Sequence, residues 1–348
     1  MGAEVVEMRR AGAALVAAAG RAGRTGRLVA RRLRGRSLPF SITFILTNRC
    51  NFRCAYCNAP QAAAGEMETS DFIRAIDELA GAGMARASFS GGEALLRDDT
   101  IEIIGHARRR GMWTSLNSNG WLLADHLERL APDLDMLMVS LDGPRSVHDA
   151  VRGRDGSFDR AIAVLDRARD LGIATAAISV LGPWNLDRVD SIVATARRHG
   201  FWAYFQPAYE DCFDHRPGLA SGLDAGVLGD VAARLGTLKA NGAPVGASSA
   251  YLRRLAGGPP FGDCRRCHAG RYFATVMPDG RLVPCHLTSN EADWPDGREI
   301  GFARAFERLP PVIAGPGCAI APYQESDLIF ALDGAAIASA VRRMAGAP

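Results

Sequence analysis

Thr47-Asn48-Arg49-Cys50-Asn51-Phe52-Arg53-Cys54-Ala55-Tyr56-Cys57 places three of the eight cysteines of the chain within eight residues, spaced C-x3-C-x2-C. The apolar, β-prone run Ser41-Ile42-Thr43-Phe44-Ile45-Leu46 precedes it, so the thiols sit on the loop leaving a strand. Three close thiolates on one loop hold three corners of an iron–sulfur cube and leave one iron without a protein ligand. An open metal position marks a site built for chemistry, by the logic that separates catalytic from structural zinc. The alternatives are a zinc knuckle or a chance cluster. Zinc sites, however, usually pair cysteines as C-x2-C and close the shell at four.

Outward from this loop, the 348 residues suffice for one barrel-sized domain and a smaller one. Hydrophobic content of 48% and 23% charged residues describe an ordinary globular chain. No apolar run approaches the ~18 residues of a membrane span. A net charge of +3 argues against general nucleic-acid binding. The charge is uneven: residues 1–36 hold nine Arg against two Glu. Residues 1–37 read as a basic helical arm, either a solvated helix packed on the domain or an amphipathic element touching anionic lipid. Clustered cysteines in a chain of this length read as metal ligands in a reducing compartment, not as a disulfide scaffold, which points to the cytoplasm.

From 41 to about 207 strand and helix patterns alternate. Strands are expected at 41–46, 86–90, 113–117, 136–140, 174–180 and 202–206, and helices at 69–82, 99–110, 122–131, 157–171 and 186–199. Gly111, Gly172 and Gly200 stand where helices close. Six such units imply a parallel sheet with helices outside, its functional loops at the strand C-terminal ends. Residues 211–257 form a connector with helices near 224–239 and 248–256. Beyond it, 273–277 and 281–283 flank Pro278-Asp279-Gly280 as a hairpin, and a last helix lies within 325–344.

Polar or glycine-rich motifs recur at those strand ends. Ser90-Gly91-Gly92-Glu93 follows strand two; two glycines allow close backbone approach to a ligand, and a carboxylate follows. Asn117-Ser118-Asn119-Gly120 ends strand three, and Ser140-Leu141-Asp142-Gly143 ends strand four, with Arg152-Gly153 beyond. Ile178-Ser179-Val180-Leu181-Gly182 ends strand five. Each has a plain reading as well: a turn, an Asn-Gly corner, a helix cap at Asp142, core packing at Val180.

Taken with the cysteine spacing, these motifs resemble the radical S-adenosylmethionine superfamily over most of the chain after residue 40. The resemblance implies an α/β fold, a partial (β/α)6 TIM-like barrel at 38–210, followed by a small α+β twitch-like domain at 258–348. It implies a [4Fe–4S] cluster on Cys50, Cys54 and Cys57 whose open iron binds S-adenosylmethionine. An electron then cleaves the sulfonium to a 5′-deoxyadenosyl radical, which takes a hydrogen atom from substrate. It assigns Gly91, Gly92 and Glu93 to the methionyl ammonium and Arg152 to the methionyl carboxylate. Ser140 and Asp142 go to the ribose and methionine region, Tyr56 and the segment around Val180 to adenine. Asn117 and Asn119 join them as cofactor-binding positions.

Cys264-x2-Cys267, Cys285 and Cys318 form a second set, with Cys267 to Cys285 fitting C-x12-G-x4-C through Gly280. This resembles the start of a SPASM or twitch extension, although the further cysteine run of a full SPASM pattern is missing. The expectation is a second [4Fe–4S] cluster on these four cysteines; a zinc ribbon is the alternative, and His268 is a lesser candidate ligand. Cys212 is left over. It reads either as a half-buried structural thiol or as a hydrogen-atom donor at the barrel mouth. Tyr204, Gln206, Asp211, His215, Tyr323 and Glu325 are candidates to line the substrate space.

The resemblance further implies an external electron donor such as flavodoxin or ferredoxin. The substrate is a small molecule, a lipid or a peptide, for oxidation or epimerisation, with the second cluster as electron acceptor. No separate peptide-recognition domain is discernible before the barrel, which leans away from a leader-bound peptide, while the basic arm leans towards an anionic or membrane-lying substrate. The reading from another class is a non-enzymatic zinc- or iron–sulfur-binding interaction protein.

Overall fold

The computed structural model describes residues 37–61, 65–208, 223–257, 267–285, 288–289, 293–310 and 318–344. The basic arm, Cys212 with Asp211 and His215, and Cys264 lie outside the described residues.

Six strands form where the alternating patterns place them: β1 (Ser41–Ile45), β2 (Arg86–Ser90), β3 (Trp113–Ser118), β4 (Met136–Ser140), β5 (Ala174–Leu181) and β6 (Trp202–Pro207). They pair in parallel in chain order. Between them run α1 (Thr69–Ala82), α2 (Thr100–Arg109), α3 (Arg145–Arg152), α4 (Ser157–Asp170) and α5 (Val189–His199). α1 shows why they dock: Phe72, Ala75, Ile76 and Leu79 recur at helical spacing and are all buried. The strand faces divide by chemistry. Ile42, Phe44, Ala87, Phe89, Leu116, Leu137, Val139, Ala177, Ala203 and Phe205 face the helices and are shut from solvent. The other face carries Thr43, Ser88, Ser90, Ser115, Asn117, Ser140 and Gln206, most of them partly exposed. A polar inner wall behind an apolar outer shell is what a barrel enclosing a ligand space requires.

The C-terminal hairpin forms as expected, β7 (Phe273–Val276) with β8 (Leu282–Val283), across a turn whose Gly280 sits at φ 89°. It does not build a sheet of its own. β7 pairs in parallel with β1, from Ser41 opposite Phe273 to Phe44 opposite Val276. The result is one eight-stranded sheet, β6-β5-β4-β3-β2-β1-β7-β8. At the far edge, Ala203 exchanges backbone hydrogen bonds with Pro244 and Gly246, which covers β6 against further pairing. α6 (Ala225–Ala240), α7 (Ser249–Ala256), α8 (Phe302–Glu307), α9 (Ala321–Phe330) and α10 (Gly334–Met344) complete the described helices that are numbered here.

Three local expectations need correction. The helix expected over 122–131 breaks into short turns, Leu123–Asp125, Leu127–Leu130 and Ala131–Asp133; Pro132, which cannot donate within a helix, sits in the last of them. The last helix is two, α9 and α10, separated at Leu332, which takes φ 64°. Asp333 then accepts the Ala335 and Ala336 amides at 2.9 and 3.0 Å and starts the second. α3 falls after Asp142, where no helix range was expected. Its signals were present in Pro144 before it and Gly153 after it, the latter left-handed at φ 65°.

Candidate cluster and cofactor site

The cysteine loop is locked onto the end of β2 by backbone alone. Gly92 N donates to Thr47 O and Glu93 N to Arg49 O, both at 2.8 Å. A β-carbon on Gly91 would stand 2.6 Å from Thr47 O, and one on Gly92 2.6 Å from Asn48 O. The two glycines are therefore required by the loop they carry, whatever they also do for a ligand.

Cys50 and Cys57 are partly exposed and Cys54 is buried. No disulfide joins any two of the six described cysteines. Cys50 Sγ accepts Phe52 N at 3.4 Å and Asn119 Nδ2 at 3.9 Å; Cys54 Sγ accepts Arg152 Nη1 at 3.6 Å. Burial raises the Cys50 thiol, the Phe52 amide opposes this, and Cys54 and Glu93 add to it. Among the described residues no three His, Cys, Asp or Glu side chains gather round one ion position. Recognition of the site thus rests on what surrounds the sulfurs: N–H donors aimed at them, as iron–sulfur thiolates receive.

Glu93 is fully buried. Its carboxylate accepts Asn119 N at 2.9 Å, Leu95 N at 3.2 Å and the Ser118 hydroxyl at 3.0 Å. Burial raises its pKa against these three donors. Glu93 thus ties the end of β2 to the end of β3, and Asn119 carries the tie to the loop, with Nδ2 on Asn51 Oδ1 at 2.7 Å. The Asn51 amide nitrogen, buried, has no partner in the described protein.

The other half of the site closes around Asp142, which has no exposure. Its Oδ1 accepts Val180 N at 2.9 Å, and its Oδ2 meets Arg152 Nε at 2.7 Å and the Tyr56 hydroxyl at 3.3 Å. Its own amide donates to His148 Nδ1 at 3.1 Å, and its carbonyl accepts Asn185 Nδ2 at 2.8 Å. Burial works against the Arg152 charge, but Asp142, Tyr56 and Cys54 hold its pKa well above the ordinary value. The Tyr56 ring stacks on Trp184 with centroids 5.7 Å apart and lies 5.4 Å below the Arg152 guanidinium. Asp142 does not cap α3, whose N-cap is Pro144.

The structure therefore gathers Cys54, Tyr56, Asp142, Arg152 and Val180 into one buried knot, and Cys50, Gly91, Gly92, Glu93 and Asn119 into another. Asn117 and Ser140 stand on the inner wall, on neighbouring strands. Sequence reasoning missed His148, Trp184, Asn185 and Arg154. Trp184 and Asn185 follow Gly182, whose missing side chain leaves room for the indole. Arg154 stacks on Trp121 at 3.7 Å and donates to Asn51 O at 3.3 Å.

Of the second set, Cys267 and Cys285 flank one apolar nest with Tyr272, Phe273 and Phe330. Gln324 Nε2 donates to Cys318 Sγ at 3.2 Å. Burial pushes the Cys267 thiol far up, with Asp327, Cys318 and Cys285 nearby adding to it. His268 turns Nδ1 to Asp327 at 2.8 Å.

A family model described as the radical SAM superfamily matches residues 44–196. The chain is 30% identical over 269 residues to the PqqA peptide cyclase of Ruegeria pomeroyi, covering 71% of this chain and 68% of that one. It is 28% identical over 281 residues to the mycofactocin maturase MftC of Mycolicibacterium smegmatis, covering 74% and 67%. Its fold is similar to Streptococcus suis SuiB, with a TM-score of 0.66 at 14% identity over 82% of this chain and 70% of SuiB. It is similar also to anSMEcpe with bound AdoMet and Cp18Cys peptide, with a TM-score of 0.63 at 14% identity over 86% and 99%.

Proposed function

The chain belongs to the radical S-adenosylmethionine superfamily, and we propose that it is a peptide-modifying member whose first cluster is held by Cys50, Cys54 and Cys57. When bound, the [4Fe–4S] cluster and S-adenosylmethionine of this family supply a 5′-deoxyadenosyl radical that removes a hydrogen atom from substrate. The residues fit that group: three thiols with N–H donors on two of them, no fourth cysteine in the loop, and a glycine pair beneath it.

The observation that carries this reading is the shared end of the sheet. The cysteine loop, Gly91-Gly92, Asn117, Ser140 and the Asp142–Arg152 knot all stand at strand C-termini, where parallel sheets place their chemistry. Arg152 offers its guanidinium beside Cys54 for a carboxylate of the cofactor. Glu93 acts by fixing Asn119 and the loop. Ser140, Asn117 and Gln206 face the enclosed space and would orient substrate, and the apolar shell keeps water from it.

A peptide substrate is supported by a relative of which this chain covers about two thirds, a PqqA peptide cyclase by name; the other, a mycofactocin maturase, is covered to a similar share. The peptide reading stands against the sequence-based lean away from a leader-bound peptide. Cys264, Cys267, Cys285 and Cys318 would hold a second [4Fe–4S] cluster that accepts the second electron, making the outcome oxidative. Cys212 would return a hydrogen atom if the outcome is epimerisation. A ferredoxin or flavodoxin in a reducing, cytoplasmic setting would supply electrons. No helix among the described residues is long and apolar enough to cross a membrane; for the arm, unchanged vesicle binding after deletion of residues 1–36 would end the membrane proposal. The substrate is tested by mass analysis of a peptide panel incubated with enzyme, S-adenosylmethionine and reductant in D2O. Loss of hydrogen marks oxidation or ring closure, and deuterium uptake marks epimerisation. A mass change on small metabolites or lipids with none on any peptide would overturn the peptide reading.

A further inference from the structure

Arg86 opens β2 on its inner face, opposite Trp113 of β3. Its guanidinium stacks on the Trp113 ring at 4.5 Å. Its Nε is shut from solvent and meets no acceptor, and among the described residues no carboxylate pairs with it. The residue nonetheless keeps partial exposure, and by strand alternation it shares the polar face of β2 with Ser88 and Ser90, the face turned to the space within the sheet. Such a group is unusual, because an isolated interior cation is costly and arginine does not escape by losing its proton.

The surroundings add no compensation. Tyr204, on the same face of β6 and four strands further round, is neutral, its hydroxyl pushed up to about 12 by burial. Arg343 of α10 lies over the Tyr204 ring at 5.7 Å and is matched by Glu325 at 3.7 Å. Glu325 is thereby committed to another arginine, and among the described residues Arg86 keeps an uncancelled positive charge. Burial draws its pKa down to about 10, leaving it charged at neutral pH. Arg86 lies four residues before Ser90, so about 13 Å of strand separates it from the end that carries the glycine pair and the cysteine loop. A group held at Arg86 would anchor a substrate whose reacting carbon lies nearer that loop.

We propose that Arg86, with the Trp113 and Tyr204 rings as walls, is an anion site inside the barrel that takes a carboxylate of the substrate. The inference rests on the reading of the barrel as the substrate chamber and adds the chemistry of what enters it. A guanidinium fork pairs a carboxylate through two parallel hydrogen bonds, and a buried site gains most from such pairing. The carboxylate comes from an acidic side chain or from a peptide C-terminus.

Three probes matched in shape separate the cases: N-acetylglutamate α-amide, N-acetylglutamine free acid, and N-acetylglutamine amide. Binding of each to the cluster-loaded protein with S-adenosylmethionine is read by ligand-observed NMR. The carboxylate probes should bind at least about ten-fold tighter than the neutral amide, with the stronger of the two naming the source. Arg86→Gln should abolish that preference, and Arg86→Lys should keep part of it. Equal binding of all three probes to the wild-type protein would overturn the proposal, even if Arg86→Gln failed to fold. A preference that persists in a folded Arg86→Gln variant would overturn it as well. Cleavage of S-adenosylmethionine by the same wild-type preparation, measured without probe, tests the underlying reading separately.

Discussion

Arg152 Nε stands 2.7 Å from Asp142 Oδ2, both side chains buried, and Nη1 of the same guanidinium reaches Cys54 Sγ at 3.6 Å. The pair joins the C-terminus of α3, the end of β4 and the cysteine loop. Removing one partner strands the other charge in the interior. Asp142→Ala should cost roughly 3–5 kcal/mol in anaerobic denaturant unfolding. Combining it with Arg152→Met should recover part of that loss. A single-variant cost within experimental error of zero would mean that the pair does not hold the loop.

Gly92 has no room for a side chain, since a β-carbon there would meet the Asn48 and Arg49 carbonyl oxygens. Gly92→Ala should displace the cysteine loop and lower bound iron by about four per chain while leaving a second cluster in place. Gly65→Ala, with nothing within 4 Å of the added carbon, is the control and should load iron as the wild type does.

His148 is fully buried, and burial, aided by Arg152, draws its pKa from 6.5 to about 4. The unfolded chain therefore binds the proton more readily, and stability is lost as pH falls from 6.5 towards 4. Between pH 7.5 and 5.5 the loss from this one group should be about 1 kcal/mol. Comparing wild type with His148→Gln at both pH values isolates it. The variant should show a shallower fall, and equal falls would refute the assignment.

Gln324 donates to the Cys318 sulfur at 3.2 Å. Hydrogen bonds to cluster sulfurs raise the reduction potential. If Cys318 holds the second cluster, Gln324→Leu should lower the midpoint of that cluster in an EPR redox titration and leave the first unmoved. Identical midpoints for both clusters in variant and wild type would remove Cys318 from the ligand set.

The sequence showed the barrel clearly because six strand patterns alternate with five helical ones, three of them closed by glycine, and the strands formed within about one residue of expectation. It showed less of the site. Motif positions marked Asp142 and Glu93 as chemical, but both carboxylates are spent on neighbouring backbone and side chains, a long-range fact no local pattern carries. The attachment of β7 to β1 was hidden for the same reason, since parallel pairing between residues more than two hundred apart leaves no turn signal. α3 was legible but passed over, its proline and glycine overshadowed by the arginine between them. Arg86 gave no signal at all, because one arginine opening a strand looks like any surface charge.

The most direct measurement is release of 5′-deoxyadenosine from S-adenosylmethionine by anaerobic, reduced protein, alongside iron content, for wild type and a Cys50/Cys54/Cys57→Ala variant. The wild type should release it, and the variant should release none while holding about four fewer irons. Release at wild-type level from the variant, or a wild type that carries zinc and cleaves nothing, would contradict the account.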